Sequence, residues 1–189
     1  MKLSSTIRKY WFIAPIALLI FLLARRSKKG GPVLSTTANQ EPDQGSNPIP
    51  TGKQAVQRTY NFWRNSPYSQ LAEVLTAQAM FETNRFKSTI YNRYANSYGM
   101  GVARKRKYTR AGVTEGRYDG NRQLSRYYDL EQGLKDMQYL LDWYDTPNRY
   151  FTPEEWARYM KQRSFYTADE SKYARGLEAT RNELGWYGI

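Results

Sequence analysis

The sequence predicts an α+β, mainly helical domain with a small β-hairpin lobe, preceded by a single N-terminal transmembrane helix and a flexible linker. Three observations carry this. Apolar residues recur at helical spacing between residues 56 and 184. The period stops across residues 103–128, where Asp119-Gly120 marks a turn between polar, β-tolerant flanks. Finally, Tyr10–Ala24, YWFIAPIALLIFLLA, carries no charge and lies between Arg8-Lys9 and Arg25-Arg26.

That run places a membrane anchor within residues 1–26. Its fifteen residues span roughly 22 Å as a helix, short of the ~30 Å hydrocarbon core. Flanking Lys and Arg can snorkel, and Tyr10 and Trp11 suit an interface. A cleaved signal peptide and a buried core helix are the alternatives, the first lacking an A-x-A-like cleavage pattern. Basic residues on both sides leave the topology open. Residues 27–53, rich in Gly, Pro, Ser, Thr and Asn and without apolar period, read as a tether. Residues 54–189 form the folded domain.

Within it, Val56, Tyr60 and Trp63 mark a first helix that Pro67 ends. Leu71, Val74, Leu75, Gln78 and Phe81 continue a stripe, so a second helix runs from about 69 to 82. Asp129 with Gln132 resembles a capping box ahead of Leu130, Leu134, Met137 and Leu141. Thr152-Pro153-Glu154-Glu155 is a further start, with Pro at the first helical position. A last helix is expected from about Asp169 to Leu184, stopped by Gly185.

Composition limits the chemistry. The chain has neither Cys nor His, which removes disulfides, thiol nucleophiles, Cys/His zinc sites and Ser-His-Asp triads. Carboxylates, Tyr, Ser/Thr, Lys/Arg or an oxygen-bound metal are left. The net charge of +12 points to a polyanionic neighbourhood such as nucleic acid, anionic lipid or cell-wall polymer. The basic run at 104–107 reads as a solvated loop or as a patch facing such a polymer.

Glu82 is out of place. It shares a face with Leu75 and Gln78, at i+7 and i+4, which otherwise points to the core. Near a helix C-terminus, against an apolar wall, its charged form would be disfavoured, as a general acid requires. The alternative is an ordinary exposed glutamate in a last turn.

The words around it decide how it is read. A-Q-A-x-x-E-T-x-x-F-x-S at 77–88, then N-S-Y-G-M-G at 96–101, resembles the endo-β-N-acetylglucosaminidase domain family, glycoside hydrolase family 73. The matching residues are Ala77, Gln78, Ala79, Glu82, Thr83, Phe86, Ser88, Asn96, Tyr98, Gly99 and Met100. RYYDLEQGLKD at 126–136 and FYTADESKYARGL at 165–177 are similar to two further family motifs, in the same order. The chain departs at Lys87 and Phe165, each standing where the family has Gly, and lacks the Pro of its D-P pair.

The resemblance implies a lysozyme-like fold with a cleft between a helical body and a β lobe. It implies cleavage of the peptidoglycan glycan strand on the reducing side of N-acetylglucosamine, with Glu82 as general acid. Glu115 then corresponds to a second carboxyl on the lobe, with Asp119 as a fallback or a plain turn residue. Tyr166 corresponds to a cleft tyrosine near the reacting centre, and Tyr173 to a second tyrosine of that motif. Gln78, Asn96 and Tyr98 correspond to cleft-lining positions, although Asn96 could instead tie the loop backbone. No cofactor or metal is implied. The expected partners are glycan strands, a lipid bilayer through residues 10–24, and virion or envelope assembly proteins, with no specific nucleic acid. The expected location is a bacterial envelope or a membrane-containing phage virion, as a single-pass protein. The alternatives are a non-catalytic glycan- or protein-binding module of the same fold, a lytic transglycosylase, and a membrane-anchored nucleic-acid binder.

Overall fold

The computed structural model describes residues 48–102 and 123–189, and the backbone of 113–114. The expected anchor at 10–24 and tether at 27–53 lie outside this set, apart from the tether's last residues. Among the described residues no helix is long and apolar enough to cross a membrane. The architecture is mainly helical with minimal strand, as expected for the domain.

The elements run α1 (Gly52–Arg64), a 3-10 turn (Ser69–Leu71), α2 (Ala72–Glu82), α3 (Thr89–Tyr94), β1 (Val113–Thr114), β2 (Gln123–Leu124), α4 (Leu130–Trp143), α5 (Pro153–Gln162), α6 (Glu170–Asn182) and a closing 3-10 turn (Leu184–Tyr187). Helix α2 is the hub, and α1 and α6 both pack on it. Its sequence suggested one apolar stripe, but every residue from Val74 to Met80 is buried. The Ala positions explain the difference, because small side chains let neighbouring helices approach from more than one side. Across that contact the Thr180 hydroxyl donates to the Ala77 carbonyl (2.9 Å).

Two tryptophans fix α2 to the rest of the domain. Trp63 of α1 donates its indole N–H to the Tyr98 hydroxyl (2.7 Å), which in turn donates to the Leu75 carbonyl (3.0 Å). Trp156 of α5 donates to Gln78 Oε1 (2.8 Å). Both indoles are fully buried, so each N–H needs this acceptor.

Local signals explain the helix starts. Thr152 and Glu155 form a full capping box with Pro153 at the first position. Asp129 accepts from the Gln132 amide (2.8 Å), while the Gln132 side chain accepts from Tyr128 rather than from Asp129. Asp169 caps α6 as expected, but the chain passes through Gly185 in the closing 3-10 turn. Gly188, at φ +80°, ends it instead. Helix α3 was not anticipated; it starts where Ser88 Oγ accepts from the Tyr91 amide (3.2 Å). The β pair is antiparallel, Val113 opposite Leu124 and Thr114 opposite Gln123, and Gly101 bridges to Leu124. The expected turn at Asp119-Gly120 lies outside the described residues.

The segment after α2 is unusual. Asn84, Arg85 and Phe86 have φ of 49°, 60° and 60°, left-handed values that residues with a Cβ adopt reluctantly. Thr83 holds this turn. Its hydroxyl donates to the Ala79 carbonyl (2.6 Å) and accepts from the Phe86 amide (2.8 Å). Its carbonyl accepts from the Lys87 and Ser88 amides. Arg85 pairs with Glu183, and Phe86 is fully buried against Tyr91. Replacing Thr83 by Val keeps the shape and removes both hydroxyl bonds, leaving the Phe86 amide buried without its acceptor. The expected loss of stability is about 1–3 kcal/mol, measured by urea denaturation.

Candidate active site

The turn after α2 ends the helix at Glu82 and leaves its carboxyl half-buried at the edge of a cleft of about 400 Å³. One wall is the last turn of α2, with Phe81 and Glu82. The floor is Tyr98 and Gly99, from the loop after α3. The α5–α6 connection, residues 164–168, lines it as well, with Lys172 and Tyr173 of α6. Glu82 and Lys172 are the charged side chains among these lining residues.

The loop that makes the floor is built by Asn96. Its amide nitrogen donates to the Met100 and Ser125 carbonyls (2.9 Å each), and its carbonyl oxygen accepts from the Met100 amide (2.9 Å). Asn96 is 1 % exposed, so it shapes the loop rather than meeting a ligand. This loop carries Gly99 at φ +59°, with the position of its missing Cβ 3.7 Å from Glu82 Oε2. Space alone would admit a methyl group; the backbone conformation is what asks for glycine.

Glu82 meets Tyr173. The phenol donates to Glu82 Oε1 (2.6 Å), although the residues are 91 positions apart in sequence. Burial, followed by the Glu82 carboxylate, pushes the Tyr173 hydroxyl well above its usual range, so it stays a proton donor wherever carboxyl groups titrate. Gln78 lies one layer behind, fully buried and tied to Trp156. Among the described residues its amide nitrogen has no partner of full hydrogen-bond geometry, yet it favours ionisation of the Tyr173 hydroxyl, the reverse of what burial does.

Tyr166 stacks on Tyr173, with centroids 3.8 Å apart and planes at 12°. Its hydroxyl donates to the Ala157 carbonyl (2.9 Å), so the phenol that meets Glu82 is Tyr173's. Burial, then the Glu170 and Asp169 carboxylates, pushes the Tyr166 hydroxyl up to about 12. Lys161 pins the same connection by donating to the Thr167 and Ala168 carbonyls, with its ammonium 5.1 Å from the Tyr166 ring.

Of the residues expected at the site, Glu82, Tyr98, Tyr166 and Tyr173 therefore line one cleft. Gln78 and Asn96 sit behind it, and Glu115 and Asp119 lie outside the described residues. Phe81 was read only as part of a core stripe, yet it is 36 % exposed and forms cleft wall. Lys172 carried no signal in the sequence beyond its place one residue before Tyr173. Among the described residues no group of three or more acidic side chains converges to hold a metal ion.

A carboxyl that ends a buried helix at a cleft, with a phenol donating to it, is an arrangement that general acid catalysis can use. The family described as Glucosaminidase, mannosyl-glycoprotein endo-beta-N-acetylglucosaminidase, matches residues 63–185, and the chain belongs to it. It is a glycoside hydrolase of the endo-β-N-acetylglucosaminidase type, acting on peptidoglycan. Among solved structures, the chain is similar to one in a type VI secretion system effector–immunity complex from Pseudomonas protegens. The TM-score is 0.52 at 9 % identity, over 69 % of this chain and 94 % of that one. At that identity the likeness concerns the fold. No curated protein matches the sequence.

Tyr173→Phe removes the donor at Glu82 Oε1 and leaves the ring stack on Tyr166 in place. The expected outcome is a drop in kcat of roughly tenfold or more, at unchanged thermal midpoint, measured on peptidoglycan.

Proposed function

We propose that this chain cuts the β-1,4 bond on the reducing side of N-acetylglucosamine in peptidoglycan, with Glu82 as the general acid. The observation that carries this is the placement of Glu82: its carboxyl ends the buried helix α2 at the wall of a cleft, with Tyr173 on one oxygen. In the proposed reaction the Glu82 carboxyl gives its proton to the glycosidic oxygen as that bond breaks. Water adds to the anomeric carbon and passes its proton to the second carboxylate in an inverting route, or back to the Glu82 carboxylate in a retaining one. Tyr173 orients the carboxyl throughout.

A second carboxyl completes the scheme. Glu115 is proposed for it, with Asp119 as the fallback. Glu115 follows β1 directly, and β1 pairs with β2, whose Leu124 bridges to Gly101 two residues beyond the cleft floor. The separation of the two carboxyls would select an inverting or a retaining route, and the substrate N-acetyl group is an alternative assistant to the second acid.

The domain is further proposed to be lysozyme-like, spanning 54–189, and held near a bilayer by residues 10–24 through the tether at 27–53. The uncharged run between basic flanks supports the anchor. An enzyme so held would open wall locally, in a bacterial envelope or during entry of a membrane-containing phage.

The test is clearing of purified peptidoglycan by the full chain in mild detergent, wild type beside Glu82→Gln, with released fragments reduced and identified by mass spectrometry. The expected result is reduced N-acetylglucosamine ends from the wild type and a loss of roughly a hundredfold or more in the variant. Undiminished clearing by Glu82→Gln would overturn the role of that residue. Anhydro ends would mark a lytic transglycosylase, and a folded wild type that binds glycan without cutting would mark a binding module.

A further inference from the structure

Phe81 is the last apolar residue of α2, and it breaks that helix's pattern. Its neighbours from Val74 to Met80 are buried, whereas Phe81 is 36 % exposed and faces the cleft. An aromatic ring left in water beside the candidate acid forgoes burial that the rest of the helix obtains.

The ring is also held. Its edge-to-face contact with Tyr173 has centroids 5.3 Å apart and planes at 87°. Its other support is Gly176, on the face of α6 turned towards α2. A Cβ there would lie 2.2 Å from Phe81 Cε2, 2.6 Å from Cζ and 2.8 Å from Cδ2. Gly176 sits in the middle of α6 with no left-handed φ to require it, at a position where Gly is about 1 kcal/mol worse than Ala for helix stability. The absent side chain makes room for the ring.

We propose that Phe81, seated on Gly176, is a stacking platform for a pyranose ring of the glycan beside Glu82, and that this pair sets substrate affinity. This deepens the reading of the cleft as a glycan site and rests on it. The chemistry matches: the C–H-rich face of an N-acetylhexosamine packs on an aromatic face, and a rigid ring binds it without first losing rotamer freedom.

The test uses the full chain with soluble oligomers of alternating N-acetylglucosamine and N-acetylmuramic acid. Phe81→Ala and Gly176→Ala are each expected to raise KM roughly tenfold with kcat within about twofold. The Cβ of Gly176→Ala overlaps the ring and must turn Phe81 out of its seat. Circular dichroism and the thermal midpoint are therefore read beside KM, the helix gain of Ala being set against that overlap. Phe81→Trp, which keeps an aromatic face, is expected to recover most of the lost affinity. The same variants in a Glu82→Gln background are read by calorimetric binding, without turnover. Unchanged KM and affinity in both Phe81→Ala and Gly176→Ala would overturn the platform, as would a fall confined to kcat. If the wild type releases no fragments, the hydrolase reading fails; the platform then stands if binding still depends on Phe81 and falls if it does not.

Discussion

The left-handed turn at residues 84–86 is the constraint on which the cleft depends. A helix that ran on past Glu82 would carry Phe86 up the same face and bury the carboxyl beneath it. Three consecutive non-glycine residues at positive φ cost of order 1–3 kcal/mol each. The surrounding structure must over-determine them, and it does so from several sides. Thr83 closes the turn from within, Phe86 fills the core against Tyr91, and Arg85 is drawn to Glu183 just beyond α6. The chain therefore leaves α2 directly after Phe81 and Glu82, the two residues of that helix that line the cleft. The same turn joins α2 to the C-terminal segment and steadies the wall that carries Tyr173.

The abundance of aromatic residues follows from how that wall is built. Without Cys or His, indole, phenol and amide groups do much of the polar anchoring in the interior, beside hydroxyls such as those of Thr83 and Thr180. Trp63, Tyr98 and the Leu75 carbonyl form one such chain, and Trp156 with Gln78 forms another. Both end on α2, on successive turns before Glu82. Buried hydrogen bonds of this kind contribute modestly when made and are expensive when broken, so they fix the angle of the helix more than they add to its stability. Tyr166 and Tyr173 extend the arrangement to the cleft surface, where one phenol is spent on the Ala157 carbonyl and the other reaches Glu82.

What the sequence revealed and what it hid divide along physical lines. Helix existence was legible, because apolar spacing and caps such as Thr152-Pro153 act locally. The position of Glu82 was legible because its words are contiguous. The partnership of Glu82 with Tyr173, 91 residues apart, was not, since nothing local records which helix lies across from which. Tyr166 and Tyr173 are both tyrosines of one motif, and only the direction of each hydroxyl separates their uses. Gly185 resembles a helix stop and Gly188 acts as one, because the closing 3-10 turn is set by the Leu184 side chain entering the core. Helix α3 is too short to show a period, and only Ser88 announces it.

Phe81 shows how an amphipathic pattern can mislead at a site. At its spacing it belongs to the buried stripe, and a side chain there would ordinarily seek the core. The stripe ends at the surface of the domain, however, and at that edge burial gives way to the open cleft without any change in residue type. Gly176, opposite, is the more informative residue. A mid-helix glycine with an ordinary backbone conformation has no local justification, so its reason must lie across the interface. The ring over its missing side chain supplies that reason. Tyr173 and Gly176 are three residues apart on one face of α6, so the same helix orients the candidate acid with one residue and seats the aromatic wall with the other. In the proposed reading, reaction and affinity thereby rest on one rigid element, the arrangement that holds catalytic geometry to within about half an ångström.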